Sequence, residues 1–95
     1  MPYQYDDFEN CLNQQFTFQL DDGSVELQLT SVEKHPNSDT VNDVQVFSAI
    51  FRGDNTITLP QQTYAIEHDT MGSMHLFIVP IGPDDKGMRY EAVFS

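Results

Sequence analysis

Two runs decide the fold: Met74-His75-Leu76-Phe77-Ile78-Val79-Pro80 and Met88-Arg89-Tyr90-Glu91-Ala92-Val93-Phe94, joined by Gly82-Pro83-Asp84-Asp85-Lys86-Gly87. Both runs are rich in β-branched and aromatic residues, and the link between them is built from turn formers, so together they read as an antiparallel hairpin. Working backwards, Phe16, Phe18 and Leu20 alternate with Thr17 and Gln19 before the bend Asp21-Asp22-Gly23. Val25, Leu27 and Leu29 then alternate with Glu26, Gln28 and Thr30. The period of two and the Asp-Gly bend predict a second hairpin.

Between the hairpins, Val44 to Phe51 is apolar on both faces, with Phe47, Ala49 and Phe51 on one side and Val44, Val46 and Ile50 on the other. That pattern predicts a central strand covered on both sides. Thr63 to His68 is a further strand, reached through a connection, Arg52 to Gln62, punctuated by Gly53, Asp54-Asn55 and Leu59-Pro60, and followed by a turn at Asp69-Thr70-Met71-Gly72. At the N-terminal side, Phe8, Cys11, Leu12 and Gln15 recur at helical spacing behind Asp6, which predicts a short helix over 6–15. Asp6 would be its cap, and Phe8 and Leu12 would be turned towards the sheet. The expectation is a mainly β domain over 1–95: a small antiparallel six-stranded barrel or roll, meander-like in order, with one short N-terminal helix.

Fifteen Asp and Glu against four Lys and Arg give a formal charge of −11. Such a surface repels phosphate backbones and anionic bilayers, so no nucleic acid and no membrane partner is expected, and much of the charge serves solubility. The single cysteine, Cys11, cannot form an internal disulfide and is expected to be a small core hydrophobe. The start Met-Pro-Tyr-Gln-Tyr-Asp-Asp lacks a basic and an apolar signal region, which leads us to expect a cytoplasmic protein, with incorporation into a particle left open.

Chemistry is sparse. There is no nucleophile-elbow sequence, no phosphate-cradling glycine loop and no paired Cys or His ligand motif, so we expect a non-enzymatic chain with no cofactor, no catalytic residue and no metal site. Glu67, His68 and Asp69 could meet His75 across a hairpin, but two histidines with flanking acids fall short of three converging ligands, which leaves a metal-dependent hydrolase as the weakest reading. Arg52 and Arg89 are expected to pair with Glu67 or Glu91 in the sheet. The segment Lys34 to Asp43 is rich in Pro, Asn, Asp and Ser and reads as a long loop. Candidate interaction residues are therefore His35, Asn37, Asp39 and Asp43 on that loop, with His68 and His75 at the hairpin end. A protein partner or self-association would use the loop or an exposed strand edge. The alternative is a small-ligand barrel lined by Phe47, Phe51, Tyr64, Phe77 and Tyr90, cramped at six strands.

At Phe47-Ser48, Phe51-Arg52-Gly53, Leu59-Pro60-Gln61-Gln62-Thr63-Tyr64, Glu67-His68, Leu76-Phe77-Ile78-Val79-Pro80 and Arg89-Tyr90-Glu91-Ala92-Val93-Phe94, the chain resembles a family of uncharacterised bacterial proteins of about this length. The resemblance spans nearly the whole chain and carries no established activity or catalytic residue with it. Family members read Leu-Pro-x-Gly-Thr-Tyr where this chain has Gln62, so the turn into the fourth strand is expected to differ. Relatives are similar to small proteins encoded near phage-tail-like collar genes, which implies a structural or accessory part of a tail-like particle.

Overall fold

A computed structural model describes residues 3–35, 46–54, 56 and 58–94. The elements are α1 (Tyr5–Glu9), β1 (Gln15–Leu20), β2 (Gly23–Lys34), β3 (Phe47–Gly53), β4 (Gln62–His68), β5 (Gly72–Asp84) and β6 (Gly87–Phe94). The six strands close into an antiparallel barrel in the order β1-β2-β3-β6-β5-β4. This is the expected barrel but not the expected meander. Two three-stranded meanders stand side by side, β3 pairs with β6 along Phe47↔Phe94 to Gly53↔Met88, and β1 meets β4 at Thr17↔Glu67 and Phe18↔Ile66. Closure satisfies backbone groups that an open sheet would leave at its edges.

Inward positions carry the core. Phe16 and Phe18 on β1, Leu27 and Leu29 on β2, Phe51 on β3, Ile66 on β4 and Ile78 on β5 are all at most 1% exposed. The rings of Phe16 and Phe18 each lie 5.3 Å from that of Phe51, and Phe18 lies 5.9 Å from Tyr64, so aromatic side chains from β1, β3 and β4 meet across the interior. Two bulges keep the apolar faces inward along strands that bend. Between Leu29 and Ser31 the β2–β3 register slips, so that Leu29 opposes Phe51 and Val32 opposes Ala49. Between Pro80 and Gly82 the β5–β6 register slips past Ile81. An extra residue in one strand reverses which side chains face the core beyond it, and without the first slip Ser31 rather than Val32 would face Ala49.

Both ends are covered. At one end Leu59, just before β4, is buried against the opening. Its N–H donates to the Tyr90 hydroxyl at 2.9 Å, and the Tyr64 hydroxyl donates to the Pro60 carbonyl at 2.6 Å. At the other, α1 buries Phe8, whose ring packs on Phe16, Phe47 and Phe94. The helix is shorter than the periodicity predicts, and its cap is Gln4 rather than Asp6, with Asp7 reaching back to the Gln4 N–H at 3.0 Å. It ends at the C-cap Asn10, where the bonding tightens to Cys11 N–H on Phe8 O and Leu12 N–H on Glu9 O, and Asn13, at φ +70°, then turns the chain into the sheet. The Asn13 N–H donates to Leu29 O at 2.7 Å, and Gln14 O accepts from the Leu29 N–H.

Candidate functional site: the outer face of β5 and β6

Alternation along β5 turns Met74, Leu76 and Ile78 inward and Ser73, His75, Phe77 and Val79 outward. Along β6, Tyr90 and Ala92 face in while Glu91 and Val93 face out. Phe77 remains 53% exposed, Val93 54% and the bulge residue Ile81 37%. Val79 opposes Glu91, and continuing that register by two residues places Phe77 opposite Val93 on the same surface. Ser48 of β3 flanks Val93, and Thr63 of β4 flanks Phe77. The result is an apolar centre spanning two strands. Removing the exposed halves of Phe77 and Val93 from water would contribute about 2 kcal/mol.

The charges around this face are uneven. Glu33 opposes Ser48 and lies two strands from Val93, Glu91 sits beside Val79, and Glu67 lies one outward position along from Ala65 and two from Thr63. Most of the cations are engaged within the chain. Arg52 donates to Asp84 Oδ2 through both Nε and Nη2, Arg89 Nε donates to Gly82 O at 3.3 Å, and Lys34 Nζ stands 4.7 Å from the centre of the Tyr5 ring. The expected pairing of Arg52 and Arg89 with Glu67 or Glu91 is thus corrected. The extension of β5 to Asp84 brings that carboxylate, rather than a mid-strand glutamate, to Arg52. Arg52 hydrogen bonding holds the Asp84 carboxyl at about 2, with the Lys86 and Gly87 N–H groups as further donors to it.

The two histidines expected at the hairpin end part company. His68 faces inward and is 7% exposed, whereas His75 opposes Ala65 on the outer face, so they share neither a row nor a side. His68 is no surface contact. Its Nδ1 accepts from the N–H groups of Thr70 (3.2 Å) and Met71 (3.1 Å), which fixes the proton on Nε2, and Nε2 then donates to Gln14 Oε1 at 2.7 Å. With its ring 4.3 Å from that of Phe16, His68 ties the β4–β5 turn to the segment before β1. Cys11 lies beside this cluster in the turn after α1, buried and 3.9 Å from Thr70 Oγ1. His35 reaches Ser48 Oγ at 2.6 Å, while Asn37, Asp39 and Asp43 lie outside the described residues.

Among the described residues no three His, Cys, Asp or Glu side chains converge as a metal-binding group would require. Of the five aromatics considered as a ligand lining, Phe47, Phe51, Tyr64 and Tyr90 are buried in the core and Phe77 points away from it. An open groove beside Arg52 is lined by Glu26, Gln28, Asp54 and Lys86, all polar. Among the described residues no helix is long and apolar enough to cross a membrane.

The family description "Domain of unknown function (DUF6916)" matches residues 3–94. The chain belongs to the DUF6916 family. No curated protein and no solved structure matches it. In this DUF6916 domain, Gln62 is the first residue of β4 and opposes Ile78. Sequence pattern alone does not separate the outward Phe77 and Val93 from their inward neighbours. Their parity relative to Leu76, Ile78 and Ala92 is the signal that marks them.

Proposed function

We propose that this chain is a non-enzymatic protein-interaction module, an accessory component of a phage-derived tail-like assembly. The observation that carries the reading is the pairing of half-exposed Phe77 with half-exposed Val93 on adjacent strands of a closed barrel. Apolar side chains gathered on one face of a small domain are the form a docking surface takes, and closure of the sheet moves the contact from a strand edge to a strand face. The packing of the interior aromatics supports a binding role for the outside of the barrel over its lumen. The tail-like setting rests on the resemblance to proteins encoded near phage-tail-like collar genes. The test is size fractionation of native cell lysate with antibody detection: comigration with a large particle supports the assembly role, and a free monomer in every fraction refutes it.

A further inference from the structure

Resting on that reading, we infer that the β5–β6 face takes a protein partner of defined chemistry: an apolar centre that covers Phe77 and Val93, ringed by Lys and Arg side chains. The apolar half of the inference follows from the exposure of Phe77 and Val93 and their placement opposite one another. The basic half follows from the rim. Glu91 is the next outward residue along β6 from Val93, Glu33 lies two strands from Val93 across Ser48, and Glu67 lies two outward positions along β4 from the Thr63 that flanks Phe77, so three acids stand against the outward cation Arg89, whose Nε donates to Gly82 O.

Other occupants fit poorly. A second copy of this chain would bring the same acidic rim against itself, between molecules of formal charge −11 each. Juxtaposed like charges disfavour association and slow encounter. An anionic lipid surface or a nucleic acid meets the same repulsion. A partner with a basic rim is instead drawn in by the long-range field and held by the apolar contact, so salt should weaken binding chiefly by slowing encounter.

Phe77 replaced by a photo-crosslinking phenylalanine analogue, in native cells, tests this. The same analogue at the exposed β1 residue Gln19 serves as a control on a different strand. The expected result is a covalent adduct from position 77, absent from position 19, whose partner peptide carries Lys or Arg within a few residues of an apolar side chain. Capture in lysate should fall about tenfold between about 50 mM and about 500 mM NaCl, and about fivefold when Glu33→Gln and Glu91→Gln are combined. An adduct to a second copy, to lipid or to an acidic peptide overturns the inference. So does capture that is insensitive to salt and to the glutamine variants. Adducts from position 19 alone would leave an interaction module with a different face, and a monomer that crosslinks from neither position would remove both readings.

Discussion

Replacing Tyr90 by Phe removes one oxygen from the barrel end and nothing else. Tyr90 is 1% exposed, and its hydroxyl is the acceptor for the Leu59 N–H at 2.9 Å. Leu59 is itself 5% exposed, so water does not reach the abandoned amide readily. A buried donor left without an acceptor costs about 1–3 kcal/mol, close to the full desolvation penalty of the group. For a domain of this size each kcal/mol corresponds to about 4–8 °C in Tm, so Tyr90→Phe should melt about 5–20 °C below the parent. Tyr64→Phe is the matched control. The Tyr64 hydroxyl donates to the carbonyl of Pro60, an exposed residue, and that oxygen can turn to water. Burial pushes the Tyr64 phenol up, so it stays a protonated donor at neutral pH. Its loss should cost only about 0.5–1.5 kcal/mol. Urea titrations followed by near-ultraviolet circular dichroism would give both values. Equal costs, or a larger cost for Tyr64→Phe, would refute the view that the Leu59 connection is held by a buried hydrogen bond.

Four further outcomes follow from the same geometry. Gly87→Ala should be among the most damaging single changes. A Cβ there would overlap the Gly53 carbonyl oxygen, and φ is +155°, so denaturation should show a loss above about 2 kcal/mol. His68→Phe keeps a ring against Phe16 but removes the acceptor of the Thr70 and Met71 N–H groups and the donor to Gln14; Thr70 and Gln14 are exposed and can turn to water, so the expected loss by the same assay is about 1–2 kcal/mol. Asp84 titrates at about 2 in the fold against an ordinary 3.8, so its contribution is complete above about pH 4 and disappears as pH falls through 2. Acid denaturation of Asp84→Asn should lack that component. Phe77→Ser should leave thermal stability within about 0.5 kcal/mol, because no core contact is lost, while it removes partner capture in a pull-down.

Local pattern made the strands legible, and long-range register hid the site. Phe16, Phe18, Leu27 and Leu29 declare their strands by alternation, and the turn residues Asp21-Asp22-Gly23 mark the first hairpin. The closing contact of Thr17 with Glu67 and Phe18 with Ile66 joins segments far apart in the chain, and no local period encodes it. The bulges at Thr30 and Ile81 add a residue to one strand only, which strict alternation cannot anticipate. Local sequence does not reveal the carboxylate that Arg52 meets, because the length of β5 decides which acid arrives beside it. His68 read as a surface histidine because its flanks, Glu67 and Asp69, are charged. Its own parity with Tyr64 and Ile66 turns it inward, where the Thr70 and Met71 amides complete its bonding. The outward Phe77 lay inside an apolar run whose inward members, Leu76 and Ile78, masked it.

Size fractionation of native lysates carrying either the parent chain or a Phe77→Ser, Val93→Ser double variant puts the proposed role to its most direct trial. The parent should travel with a large particle and the variant, equally stable when purified, should run near the mass of a 10.9 kDa monomer. A variant that stays with the particle, or a parent that never joins one, would contradict the account.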